Sequence, residues 1–277
     1  MRGRWLRLAL RAIALLGALY LLGCAAFAAA YRKVLYPAPT ASSPMPPDAT
    51  LVSTAAADGV PVFAWRFGRA PAKVGTSTPA ITTVAFFHGN GETMGDNVEL
   101  ARALVARGLS VLLVEYRGYG VAKAAGAPTE DGLYADAAAA LQALGAAPED
   151  VVLMGFSLGT GVAVEMETRG LGRAMVLVAP YTSIPDVGAA RVPLLPIRLL
   201  VRDRFDTASK APRIQTPVLV IQGDADEVVP FDMGEVLAHT FPHGQLIAIN
   251  GGHHTDLFAR DDHLVDKIVS FVEVGSP

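Results

Sequence analysis

Four short segments of this chain carry residue types that together can perform acyl transfer. The first is Gly155-Phe156-Ser157-Leu158-Gly159, a G-x-S-x-G pattern. A serine hydroxyl attacks a carbonyl only when a base removes its proton and a carboxylate holds that base in the right tautomer. The pattern has a steric logic. A serine held on a sharp strand-to-helix turn has strained backbone angles, and side chains at the two glycine positions would collide with neighbouring backbone. The helix that follows aims its first amides at the charge that develops during attack. Alone, five residues are a weak signal, and the plain alternative is an ordinary glycine-rich turn. Its setting is stronger, because it follows the apolar run Val151-Val152-Leu153-Met154 and precedes a helical pattern from Leu158 to Arg169.

The carboxylate has to come from Gly223-Asp224-Ala225-Asp226-Glu227-Val228-Val229-Pro230. Three acids lie here. Asp226, in a G-x-x-D-x-x-V-P arrangement, is the favoured partner, with Asp224 as the fallback. Otherwise Asp224 and Glu227 read as loop caps or solvated charges. The D-x-D spacing suggests calcium, but the rest of an EF-hand loop does not follow. The base comes from Asn250-Gly251-Gly252-His253-His254-Thr255-Asp256, where on spacing alone either histidine can reach the serine. Adjacent histidines seldom chelate one ion, and no other His or Cys cluster completes a metal site. His239, His243 and His263 read as surface residues.

His88-Gly89-Asn90-Gly91 is the fourth segment. An amide from Asn90 or Gly91, together with that of Leu158, would make an oxyanion hole. His88 is expected to brace this loop through its side chain rather than to act as the base. The order Ser157, then Asp226, then a histidine, each after an inferred strand, is the α/β-hydrolase order.

Those side chains need a scaffold, and the pattern supplies one. Strand-like runs at 51–56 and 60–67 flank Asp58-Gly59, a strong hairpin signal. A polar loop is expected over 70–79. Apolar strands at 81–87, 110–115, 151–154, 173–178, 217–221 and 245–249 then alternate with helices at 94–107, 130–144, 158–169, 232–239 and 261–273. Near-continuous apolar strands alternating with helices imply a mostly parallel central sheet covered on both faces, and the order of the motifs on it makes this the expected α/β-hydrolase fold. The segment 181–212 breaks the alternation and reads as a small cap over the strand ends. About 240 residues beyond the N-terminus are enough for one such domain, placed at 51–277.

The N-terminus is different in kind. Arg2, Arg4, Arg7 and Arg11 precede a charge-free run from Ala12 to Tyr31, long enough as a helix of about 30 Å to cross a bilayer. Residues 1–31 are therefore expected to form a membrane helix and 32–50 a Pro-, Ser- and Thr-rich linker. The arginines outnumber Arg32 and Lys33, which places the catalytic domain on the extracytoplasmic side. A cleaved signal is one alternative. A lipoprotein anchored at Cys24, after Leu21-Leu22-Gly23, is another. With a net charge of −3 and no long run of like charge after residue 35, the chain has no footprint for nucleic acid. Cys24 is the sole cysteine, so no internal disulfide forms.

These segments, with Glu115-Tyr116-Arg117-Gly118-Tyr119-Gly120 and Tyr36-Pro37, resemble the Bem46-like α/β-hydrolases. That group includes α/β-hydrolase domain-containing protein 13 and the depalmitoylases of the protein 17 type. The resemblance spans about residues 32–274. Its Gly-Gly-x-His-Asn-Asp pattern implies His254 as the base, and it also supports Asp226. Two positions depart from the pattern: Glu115 stands where Asp is usual, and Thr255 where Asn is usual. The expectation is a serine hydrolase acting on carboxylic esters or thioesters through an acyl-enzyme, needing no cofactor and no metal, on lipid-like or acylated substrates beside a membrane. Amide or peptide cleavage, cofactor-free perhydrolysis and a disused binding fold are the alternatives.

Overall fold

The computed structural model describes residues 2–71 and 81–274. The polar loop expected over 70–79 lies, from residue 72 on, outside them. Among the described residues eight strands form one sheet: β1 (Ala49–Ala55), β2 (Pro61–Phe67), β3 (Thr83–Phe87), β4 (Ser110–Glu115), β5 (Val151–Phe156), β6 (Ala174–Val178), β7 (Val218–Gly223) and β8 (Gly244–Ile249). Their spatial order is β1-β2-β4-β3-β5-β6-β7-β8. The first two strands pair antiparallel, as do β2 and β4, and the rest run parallel.

The apolar strand runs follow from burial on both faces. On one face Ala85, Phe87, Leu153 and Val220 pack with α3 (Glu130–Leu144), α4 (Leu158–Thr168) and α8 (Phe231–Thr240). On the other, Val84, Phe86, Val152 and Leu219 meet α2 (Val98–Val105) and α10 (Leu264–Val274). Consecutive residues of a strand point to opposite faces, so both must be apolar. The end signals of α3 are local. Thr129 caps its first turn by accepting from the Gly132 amide, and Gly145 ends it at φ +68°.

Between β6 and β7 the cap holds three short helices, α5 (Ile184–Arg191), α6 (Ile197–Leu200) and α7 (Thr207–Lys210). A four-residue helix, α9 (Leu257–Arg260), precedes α10.

The N-terminal helix α1 (Arg2–Leu35) is long and apolar enough to cross a membrane by length and composition. It continues past the expected boundary at Tyr31, because its last turns dock on the cap. Tyr31 donates its hydroxyl to Asp203 Oδ2 (3.0 Å), and Arg32 grips both oxygens of Asp203 (2.7 and 3.0 Å). The extended linker is correspondingly shorter, from Tyr36 to the start of β1.

Candidate active site

Parallel strands put their C-terminal ends along one edge, and the four segments singled out in the sequence all emerge there. Ser157 follows β5 at φ +48°, a left-handed conformation that a non-glycine residue holds only under constraint. Its neighbours supply that constraint. A Cβ at Gly155 would overlap the Gly159 carbonyl, and one at Gly159 would overlap the Phe87 carbonyl. The Ser157 amide donates to Val178 O (2.9 Å), tying the turn to β6.

Ser157 Oγ lies 3.0 Å from His254 Nε2, and His254 Nδ1 lies 2.8 Å from Asp226 Oδ2. Ser157 and His254 are 9% and 7% exposed, so water has little access to the line between them. Asp226 accepts from His254, from Gln222 Nε2 (3.0 Å), and from the amides of Val228 (2.7 Å) and Val229 (2.8 Å). Burial pushes this carboxyl upward, but the hydrogen bonds outweigh it and hold the group below the usual carboxylate range. An ionised Asp226 only accepts, so His254 Nδ1 must carry its proton and Nε2 is left to accept from the serine. The two loops meet closely enough that a Cβ at Gly223 would overlap the Gly252 carbonyl.

The acids and histidines that spacing left ambiguous are sorted by contact. His253, half exposed, pairs with Glu227 (3.1 Å) on the outside, and Asp224 accepts from the Gly251 amide. Buried His88 bonds to the Gly89 carbonyl through Nδ1 (2.8 Å) and to Glu115 through Nε2 (3.1 Å), so it braces its loop. Glu115, long where the resembled family has Asp, fits because Gly120 has no Cβ, which would overlap Glu115 Oε2. Among the described residues no three or more His, Cys, Asp or Glu are grouped to hold a metal ion.

A cavity of about 280 Å³ opens on Ser157. Asn90 and Leu158 are in its wall, whereas Gly91 is exposed and outside it. Leu158 begins α4, and the first amides of a helix have no partner within it. The rest of the wall is mainly apolar, and part of it comes from α1. A larger hollow, of about 600 Å³ between β8 and α10, contains none of these groups.

Sequence reasoning missed three contributors. Gln222, at the end of β7, is buried and bonded to Asp226. It was visible as a lone polar residue in an apolar strand. Phe156 stacks near the His254 ring, with centroids 5.2 Å apart. The α1 residues in the wall gave no sign in the sequence.

Comparison with known proteins bears on the family and the fold. Residues 78–204 match a family model described as serine aminopeptidase S33, and residues 201–277 match one described as TAP-like protein. A Mycobacterium tuberculosis protein, Rv2307c, itself uncharacterized, is 35% identical over 252 residues, covering 87% of this chain and 86% of its own. The α/β-hydrolase domain-containing protein 17C of Xenopus tropicalis is 32% identical over 235 residues, covering 79% and 72%. Among solved structures, the Pyrococcus furiosus esterase Pf2001 superposes with a TM-score of 0.68 at 19% identity, covering 86% of this chain and 98% of its own. That last likeness speaks for the fold alone.

Proposed function

The chain belongs to the α/β-hydrolase superfamily, in its Bem46-like family, and from that premise we propose that it is a membrane-anchored serine hydrolase cleaving carboxylic ester or thioester bonds. The observation that carries the reading is the continuous line Ser157 Oγ–His254 Nε2–Asp226 at 3.0 and 2.8 Å. In this reading Ser157 attacks the acyl carbonyl as His254 takes its proton, and Asp226 stabilises the imidazolium that forms. The oxyanion is received by the amides of Leu158 and Asn90, the two candidates that share the cavity wall with Ser157. Protonated His254 then gives its proton to the leaving oxygen or sulfur. Water, activated by the same histidine, releases the acyl group and restores the serine.

The substrate side rests on two supports. The cavity wall is mainly apolar, and the chain begins with a helix able to cross a bilayer. An acyl group derived from a lipid or an acylated molecule fits both. With four arginines before the span, the positive-inside tendency supports a domain on the extracytoplasmic face. A lipid anchor on Cys24 is the alternative tether. It is opposed by the residues after Cys24, which stay apolar through Tyr31 rather than turning polar. A second reading, amide or peptide cleavage by the same three residues, is favoured by the description of the matched family model.

The test is labelling of the full chain in detergent by a fluorophosphonate, wild type beside Ser157→Ala. Labelling in the wild type that vanishes in the variant supports a reactive serine. Parallel assays on acyl esters, thioesters and aminoacyl amides then rank the bond types. A folded wild type that resists the probe makes the chain a binding protein on a hydrolase fold.

A further inference from the structure

The cavity at Ser157 is not built by the hydrolase domain alone. Phe27, Tyr31, Val34 and Leu35 of α1 line it, facing Ile184, Val187, Ile197 and Val201 of the cap. The apolar helix that would tether the chain therefore also closes one side of the reaction chamber.

The depth of this arrangement can be read along α1. Tyr20, Cys24, Phe27, Tyr31 and Leu35 recur at three- and four-residue spacing, so they share one face. Tyr20 donates its hydroxyl to Leu194 O of the cap (3.0 Å), Cys24 is buried, and Tyr31 anchors on Asp203. Tyr20 lies about 16 Å along the helix axis from Tyr31, near the middle of the charge-free run 12–31. If that run crosses the bilayer, the cap tip at Leu194 enters the same leaflet. The tip is suited to this: Leu194 and Leu199 are each 84% exposed, and Val192 is exposed as well. Exposed apolar side chains at such density belong against lipid rather than water.

The cavity's outlet is equally specific. Its lining residues that are also exposed are Val34 of α1, Val228 beyond β7, and Arg191 and Val192 of the cap. That rim is apolar except for Arg191. Among the described residues, no ion pair or hydrogen bond involves the Arg191 side chain. At about 280 Å³ the chamber lies just below the usual size of a ligand pocket, roughly 300–1,000 Å³. It would hold only part of a long acyl chain, and the remainder would have to leave across this rim.

Building on the proposed acyl hydrolase activity, we propose that α1 is one wall of the acyl site and that the occupant is the acyl ester of an anionic membrane lipid. It enters sideways from the leaflet between α1 and the cap, with its tail along Phe27, Val34 and Leu35. Arg191 meets the anionic headgroup at the rim. The anchor thus does more than raise local concentration: it completes the chamber and selects what the bilayer delivers.

The test uses the full chain in phosphatidylcholine vesicles and an alkyl fluorophosphonate of sixteen-carbon type (about the length of a common membrane acyl chain) bearing a diazirine near its tail. After attachment to Ser157 and irradiation, cross-links mapped to residues 27–35 support the proposal, and cross-links confined to other segments overturn it. A second arm compares hydrolysis of phosphatidylglycerol with phosphatidylcholine. Arg191→Gln is expected to lower that ratio about tenfold, the scale of one charge-assisted hydrogen bond. An unchanged ratio, or faster cleavage of an S-acylated peptide than of either lipid, overturns the lipid assignment while leaving the serine hydrolase standing. Failure of the probe to label wild-type Ser157 at all removes both.

Discussion

Gln222 Nε2 lies 3.0 Å from Asp226 Oδ2, the same oxygen that His254 Nδ1 approaches at 2.8 Å. The amide cannot be turned round. Its Nε2 also donates to Val229 O (3.3 Å), so both neighbours are acceptors and a flipped oxygen would face them. Gln222 therefore shares the negative charge of Asp226 with the histidine and fixes the carboxylate plane. Its space is provided by Gly234 on α8, where a Cβ would come within 2.9 Å of Gln222 Oε1.

Gln222→Met keeps the bulk and removes the donor. We expect kcat to fall about tenfold, the worth of one modest hydrogen bond, with KM little changed. The loss should exceed anything a fall in Tm accounts for, because the donor and not the bulk has been removed. A fall in stability with kcat unchanged would mean that Gln222 only fills space.

Asp226→Asn tests the tautomer argument directly. An asparagine can present its NH2 to His254 Nδ1, which then loses its proton and leaves Nε2 unable to accept from Ser157. The expected loss in kcat is about 10⁴, as for other triads of this geometry. Retention of more than a tenth of the activity would point to Asp224 or another acid as the working carboxylate.

Gly159→Ala isolates the steric demand of the elbow. The added carbon would overlap the Phe87 carbonyl, so β3 and α4 must separate. Overpacking of this kind costs about 1–3 kcal/mol and displaces the turn that aims Ser157. We expect a lower Tm and loss of fluorophosphonate labelling together. Labelling at the wild-type rate would show that the elbow tolerates the shift.

Elements with a local code were legible in the sequence. The α3 limits 130–144 follow from a threonine cap and a glycine stop, and each parallel strand from its apolar run bounded by polar or glycine residues. The glycines around Ser157 are legible because their reason is a collision between near neighbours. What the sequence did not disclose depends on residues far apart in the chain. Asp203 receives Tyr31 and Arg32 across about 170 positions, and no periodicity encodes that meeting. The choice between His253 and His254 was closed to spacing for a related reason. Adjacent residues leave a loop in different directions, and only the fold decides which one faces Ser157.

Arg117, in the motif after β4, joins three segments. It pairs with buried Asp136 of α3 (2.7 Å) and with Asp58 of the hairpin (2.6 Å), and its amide donates to Asp136 as well. Burial pushes the Asp136 carboxyl upward, and Arg117 works against that shift. Arg117→Met leaves an uncompensated acid in the interior and should cost about 3–5 kcal/mol. Arg117→Met with Asp136→Leu should recover much of that loss, measured by denaturant unfolding. Equal instability of the single and double variants would place the cost in lost packing rather than in charge.

Glu167, near the end of α4, gives the chain a stability that depends on pH. It is 8% exposed, its Oε2 has no hydrogen-bond partner among the described residues, and burial pushes its carboxyl up to about 7. A folded-state value above the unfolded 4.5 means that between the two the folded chain retains a proton the unfolded chain has released. Stability contributed by the neutral acid is then present at low pH and declines as pH rises towards 7, by roughly 1.4 kcal/mol per pH unit and about 3 kcal/mol in all. Glu167→Gln removes the titration. Wild type and variant should melt together near pH 4.5, and the variant should melt several degrees higher at pH 8, at about 2–4 °C per kcal/mol for a domain of this size. Melting curves that stay parallel across that range would show that the ionised carboxylate finds solvent or a partner, and the pH term would have to be sought in the buried pair of Arg117 and Asp136.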